Sequence, residues 1–311
     1  MNILVTGGAG FIASHIVDAY VGLGHAVTVI DDLSTGKKEN LNPKAKFHQA
    51  DIRDTAAVRR LFAEGKFSLI NHHAAQMDVR RSVADPVFDA SVNILGMLTL
   101  MEAAVATGVR RVIFASSGGA IYGEQDRYPA DETHATRPIS PYGVAKLATE
   151  QYLFYYRAVY GVDAVCLRYA NVFGPRQNPE GEAGVVAIFA SKMLNGEQPV
   201  INGDGKQTRD YVFVADVVKA NVLALGHTRS DVFNVGTGIE SDVNRLFASL
   251  RASTGSSCRE VHGEAKKGEQ LRSVLDNGRI SRELGWKQDV SLDEGIARTV
   301  EYFRSKRGHG A

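Results

Sequence analysis

The chain has little of what marks several protein classes. Among its 311 residues there are two cysteines, Cys166 and Cys258, and a single tryptophan. The cysteines lie far apart, without paired spacing or nearby histidines, so neither a disulfide framework nor a zinc site is implied. Basic and acidic side chains nearly cancel, 36 against 35, leaving a formal net charge of +1. That balance offers no field to attract nucleic acid or an anionic membrane, and any phosphate must be bound locally. No uninterrupted run approaches the ~18 apolar residues of a membrane span. Asn2-Ile3-Leu4-Val5 opens the chain like a strand, without the basic region and apolar stretch of a signal peptide. A cytoplasmic protein without a metal is expected.

What is present is a hydrophobic share of 44%, enough for the core of one large domain or two fused lobes. Short apolar runs recur at Ile3 to Val5, Val27 to Ile30, Leu69 to Ile70, Val112 to Phe114 and Ala164 to Leu167. Between them, Asp54 to Phe62 and Val92 to Ala106 carry apolar residues at helical spacing. Strands alternating with helix-length segments predict an α/β fold with a doubly wound parallel sheet, a Rossmann fold. We assign it to residues 1–170, with a returning segment near 208–237. After Gly174-Pro175 the alternation weakens, which predicts a smaller, mixed α/β lobe from 171–207 and 238–311.

Thr6-Gly7-Gly8-Ala9-Gly10-Phe11-Ile12-Ala13 follows the first strand and precedes a helical pattern. Glycines there let a pyrophosphate approach the backbone at a helix N-terminus, where free N–H groups and the helix dipole favour an anion. Ala13 holds the third glycine place, which demands only close packing. Asp31 stands about 20 residues on, at the end of the second strand, where a carboxylate accepts hydrogen bonds from a ribose. With Asp32 beside it, a 2′-phosphate would be repelled, so NAD is expected rather than NADP. Asp51-Ile52 is placed to meet the adenine, Asp51 through its amino group and Ile52 across one face.

Tyr142 and Lys146 are four residues apart, on one face of a helix. A tyrosine ionises near ~10, and a neighbouring ammonium favours the phenolate, which makes a base usable at neutral pH. Ser116-Ser117 ends the strand preceding this helix.

Thr6 to Ala13, Asp31, Ala74-Ala75, Asn93, Ser116 to Gly123 and Tyr142 to Lys146 together resemble the extended short-chain dehydrogenase/reductases, in their NAD-dependent epimerase/dehydratase group. The likeness continues through Arg168 to Arg176, Gly203-Asp204-Gly205, Arg209 to Val212 and Leu284-Gly285-Trp286, and so covers nearly the whole chain. Ser116 to Gly123 and Gly181 to Phe189 are most similar to the bacterial and archaeal UDP-glucose 4-epimerases.

The resemblance implies Tyr142 as base, Lys146 as its partner and Ser117 as an organiser of the strand end. It implies NAD held by Gly7, Gly10, Phe11, Ile12, Asp31, Asp32, Ser34, Thr35, Gly36, Asp51, Ile52, His73, Ala74, Ala75, Gln76, Asn93, Ser116, Tyr142, Lys146 and Tyr169. A UDP-hexose would meet Gly118, Asn171, Arg176, Val185, Val186, Arg209, Glu269 and Ser273. The implied reaction oxidises C4 to a 4-keto sugar and reduces it again on the other face. A homodimer through helices near Val92 to Ala106 and Tyr142 to Tyr160 is implied as well. Gly118 departs from many epimerases, which carry a serine or threonine there; Ser117, a water or the substrate itself would take over that hydrogen bond. Small Ser273 stands where, in similar enzymes, a bulky residue excludes N-acetyl sugars.

Three alternatives stay open. A 4,6-dehydratase would show carboxyls where Ser117-Gly118-Gly119 stands. A UDP-glucuronate 4-epimerase would use Arg80 or Arg81 against its carboxylate. A regulatory protein could keep NAD binding without turnover, though it would not need Tyr142 and Lys146.

Overall fold

The computed structural model describes residues 1–180, 184–265 and 270–307. In chain order the first elements are β1 (Asn2–Thr6), α1 (Phe11–Gly22), β2 (Ala26–Asp31), β3 (Lys46–Gln49), α2 (Thr55–Gly65) and β4 (Leu69–His72). Next come α3 (Val79–Ala84), α4 (Pro86–Ala90), a π-helical turn (Ser91–Leu95), α5 (Gly96–Thr107), β5 (Arg111–Ser117), α6 (Gly118–Ile121), α7 (Pro141–Tyr160) and β6 (Asp163–Tyr169). There follow β7 (Asn171–Phe173), α8 (Val185–Leu194), β8 (Ile201–Asn202), β9 (Thr208–Phe213), α9 (Val214–Ala224) and β10 (Asp231–Val235). The last are β11 (Glu240–Asp242), α10 (Val243–Thr254), β12 (His262–Gly263), β13 (Arg272–Ser273), α11 (Gly278–Leu284) and α12 (Leu292–Arg307).

The main sheet has seven strands in the order β10-β6-β5-β4-β1-β2-β3. Its pairs β2 with β3, β1 with β2, β1 with β4 and β4 with β5 are all parallel. The apolar runs form these strands because helices cover both faces, leaving no side for polar residues. The strand order reverses between β1 and β4, and open parallel sheets bind ligands beyond the carboxyl ends at such a switch point. The glycine turn and the Ala74-Ala75 loop leave the sheet there.

Helix α2 starts where Asp54 caps it, its carboxylate accepting from the N–H groups of Ala56 and Ala57 at 3.0 Å. Residues 86–107 form one continuous helical stretch, which begins six residues before the apolar pattern suggested because Pro86 and the Asp85 cap initiate it. It is the one helix among the described residues long and apolar enough to cross a membrane, with a window of mean hydropathy 1.4. It is not an uninterrupted apolar run, since Asp89, Asn93 and Glu102 break it. The apolarity has a core role: Met97, Leu100, Met101, Ala103 and Ala104 are buried with Phe62 of α2 and Phe114 of β5.

The chain divides into two compact units, one of residues 1–123, 136–168 and 218–233, the other of 124–135, 169–217 and 234–311. The partition departs from the expected one at 208–217. Strand β9 joins a small second sheet instead, antiparallel to β11 and parallel to β13 and β7. Residues 124–135 also fall in the second unit, where Ala130 exchanges backbone hydrogen bonds with Val274 and Asp276.

Candidate active site

The first unit carries the glycine turn. Gly7 has φ +69°, and a Cβ there would lie 2.8 Å from the Ala74 backbone nitrogen, so only glycine lets the turn and the β4 exit loop meet. Thr6 ties the same junction, its hydroxyl accepting from the Ala74 N–H at 3.0 Å and the His73 N–H at 3.1 Å. Helix α1 begins at Phe11 behind Gly10, which has no side chain to cap it, and so Phe11 and Ile12 sit at an uncapped helix N-terminus.

Asp31 is buried, accepting from the N–H groups of Ala9 at 3.0 Å and Leu33 at 2.8 Å. Burial raises its carboxyl above the usual range, against the lowering by those two amides. Gly36 lies so close that a Cβ would be 2.7 Å from Asp31 Oδ1. Asp32 folds over Ser34, taking its N–H at 2.9 Å and its hydroxyl at 2.6 Å, and Thr35 is exposed. Asp51 faces Arg53, whose Nη2 lies 2.6 Å from Oδ2, and Ile52 is buried against Gly96.

At the end of β5 the two serines part company. Ser116 turns inward and donates to Glu150 Oε1 at 2.6 Å. Ser117 shares a hydrogen bond with the Tyr142 hydroxyl. Gly118, which opens α6, is buried. Lys146 is buried one helical turn after Tyr142; its Nζ donates to the Ala115 carbonyl at 2.8 Å and lies 5.7 Å from the Tyr142 ring centroid.

Burial pushes the Tyr142 phenol up to about 12, with Asp89 adding to the rise and Ser117 opposing it. Lys146, expected to tune the phenol, is itself pulled down by burial to about 8, against the pull of Asp89 and Glu150. His72 behind it is lowered by burial to about 3 and stays neutral. Gln76 and Asn93 are joined, the Asn93 carboxamide oxygen accepting from the Gln76 N–H at 2.8 Å.

In the second unit, β9 brings two of the expected substrate residues side by side: Arg209 is in register with Ser273 of β13. Arg209 donates to the carbonyls of Thr208 at 2.8 Å and Gln270 at 2.6 Å, and Ser273 is buried. Asn171 pairs with Tyr211 on the same strand and is exposed. Arg176 has φ +67°, Val185 and Val186 open α8 behind Gly184, and Tyr169 is buried at the end of β6. Glu269 lies outside the described residues. In the first unit Arg80 and Arg81 are exposed, with Arg81 stacked on Phe88 at 4.0 Å.

Two groups around Tyr142 were not singled out in the sequence, Glu150 and Asp89. Each stands four residues from a residue that was, Lys146 and Asn93 respectively, and so shares its helix face. The spacing was a signal for both; their burial was not visible.

Comparison with known proteins finds relatives over nearly the whole chain. Residues 3–236 match the model of the NAD dependent epimerase/dehydratase family. The UDP-glucose 4-epimerase of Mycolicibacterium smegmatis is 48% identical over 98% of this chain and 99% of its own. The crystal structure of the Thermotoga maritima UDP-glucose 4-epimerase with UDP-glucose superposes with a TM-score of 0.97 at 49% identity, covering 99% of this chain and all of that one. That of the Thermus thermophilus enzyme in complex with NAD gives a TM-score of 0.93 at 44% identity, over 98% and 99% of the two chains. With the glycine turn, the Ser117–Tyr142–Lys146 group and the parallel sheet in place, the chain belongs to the NAD-dependent epimerase/dehydratase family.

Proposed function

We propose that the protein epimerises a UDP-hexose at C4, interconverting UDP-glucose and UDP-galactose, with NAD as resident cofactor. One observation carries the reading: Tyr142 is half-buried and hydrogen-bonded to Ser117 at the carboxyl end of β5, with the buried Lys146 anchored beside it on the Ala115 carbonyl. The first unit fits NAD, because Gly7 leaves no Cβ between the turn and Ala74, α1 offers free N–H groups, and Asp31 presents a buried carboxylate to a ribose. When bound, NAD⁺ supplies the acceptor for the hydrogen on C4 and a positive charge beside the phenol.

The chain's own residues do the rest. Tyr142 takes the proton of the 4-hydroxyl as C4 is oxidised and returns it to the oxygen of the 4-keto sugar when C4 is reduced from its other face. Ser117, already bonded to the phenol, does the work that a side chain at Gly118 performs in other epimerases. Arg209, Arg176 and the start of α8 would hold the diphosphate and uridine, so that binding energy from the nucleotide retains the intermediate while the hexose turns. Ser117-Gly118-Gly119 provides no carboxyl for dehydration. The first unit would thus hold NAD and the second the nucleotide sugar.

We place the reaction in the cytoplasm, where both NAD and nucleotide sugars are supplied. A homodimer is the assembly we favour: Leu95, Val144, Phe154 and Val159 leave apolar side chains exposed on the π-helical turn and α7. Purified protein loaded with NAD should convert UDP-galactose to UDP-glucose with no added oxidant or reductant. Accumulation of NADH with a released oxidised sugar would make it a dehydrogenase instead. Sedimentation at a monomer's mass would remove the dimer.

A further inference from the structure

The stretch of residues 86–107 buries a carboxylate close to the proposed base. Asp89 is 1% exposed. Burying a carboxylate forfeits hydration that only hydrogen bonds or an opposite charge can recover. Its Oδ1 accepts from Gln76 Nε2 and from Asn93 Nδ2, both at 2.9 Å. Asn93 also donates to the Gln76 carbonyl at 2.9 Å and accepts from the Gln76 N–H. The π-helical turn that carries Asn93 begins two residues after Asp89, and such turns recur where a helix must aim side chains at a site.

These bonds occupy one oxygen. Oδ2 is buried with no hydrogen-bond partner. What remains to offset it is charge, and α4 packs on α7, where Lys146 is the buried cation. We propose that Asp89 is a positioning residue for the Tyr142–Lys146 pair, holding Gln76 and Asn93 in one knot and serving as the buried counter-charge that keeps the Lys146 ammonium charged. Its activity arm rests on the epimerase reading; the charge arm does not.

The surrounding charges leave this role to Asp89. On α7, Glu150 is engaged by Arg168 at 2.6 Å. From the end of β4 and the residue after it, His72 and His73 are held neutral by burial. From α3, Arg81 is stacked on Phe88. Of the two carboxylates that oppose the fall of Lys146, Asp89 acts more strongly, and the same negative charge adds to the rise of Tyr142. Removing it therefore moves both groups the same way, to lower pH.

Asp89→Asn keeps one acceptor oxygen and the volume, removes the charge and puts an amide NH₂ in place of Oδ2. With ε-¹³C-lysine-labelled protein, and the Lys146 signal assigned by its loss in Lys146→Arg, Lys146 should titrate about one pH unit lower in Asp89→Asn than in wild type. With NAD bound and UDP-galactose as substrate, both limbs of the pH profile of kcat should move down by a similar amount. Lys146 titrating at the same pH in both proteins would overturn the proposal. Should Asp89→Asn not fold, Asp89→Ser carries the same expectation, and loss of folded protein in both would overturn the proposal in favour of a purely structural carboxylate. If wild type turns over no UDP-hexose, the epimerase reading falls while the lysine titration still decides the role of Asp89.

Discussion

The Arg168 guanidinium meets the Glu150 carboxylate two-pronged, with Nε 3.0 Å from Oε1 and Nη2 2.6 Å from Oε2. Oε1 also takes the Ser116 hydroxyl, and Arg168 Nη1 donates to the Tyr122 hydroxyl at 2.9 Å. The pair therefore locks β6, α7 and the end of β5 behind Tyr142. Breaking a buried pair by removing one partner strands the other charge, which costs about 3–5 kcal/mol. Arg168→Met should lose stability on that scale in urea unfolding. A loss under about 1 kcal/mol, typical of a surface pair, would show that Glu150 finds another partner.

Tyr142→Phe removes the proton acceptor and leaves the ring. Turnover of UDP-galactose should drop by about 10²–10⁴-fold, with NAD and UDP-sugar binding retained. Wild-type-like kcat in this variant would take the base away from Tyr142.

Lys146 makes a prediction about stability with a definite sign. Its pKa is lowered from 10.5 to about 8 in the folded protein, so its charge opposes folding below about pH 8 and the penalty fades as pH rises to 10.5. The attraction of Asp89 is already contained in that net lowering, so, allowing for the lost bond to the Ala115 carbonyl, Lys146→Met should stabilise the cofactor-free protein at pH 7 by about 2 kcal/mol. Urea unfolding at pH 7 and pH 9.5 should show the gain shrinking. A variant less stable than wild type at pH 7 would mean that the ammonium is better solvated than its burial indicates.

Asp31 should make the protein prefer NAD to NADP, since a 2′-phosphate would meet a buried carboxylate with exposed Asp32 next to it. Calorimetric titration of cofactor-free protein with each nucleotide measures this directly. Equal affinities would place the ribose away from Asp31.

Ser273 is small and buried beside Arg209, leaving room for an N-acetyl group if the sugar's C2 faces it. The wild type should then accept UDP-N-acetylgalactosamine as well as UDP-galactose, and Ser273→Tyr should lower kcat/KM for the acetylated sugar selectively. A wild type inert toward that sugar, or a variant of unchanged selectivity, would show that another side chain closes the pocket.

The sequence by itself determined what depends on a few neighbouring residues. Gly7 and Gly10 declared the turn because only a missing side chain admits its backbone, the apolar runs declared parallel strands because both their faces are covered, and the spacing of Tyr142 and Lys146 declared a shared helix face. Tertiary structure alone decided which of two adjacent serines meets the phenol, that Asp89 and Glu150 lie in the interior, and that β9 joins the second sheet. Strand alternation sends Ser116 and Ser117 to opposite sides without saying what waits on either. The six residues of β9 do not name their partners. Whether a carboxylate is solvated or buried, and so where the pKa values around it stand, is set by the combined packing of segments distant in the chain, such as Gln76 on Asp89 and Arg168 on Glu150.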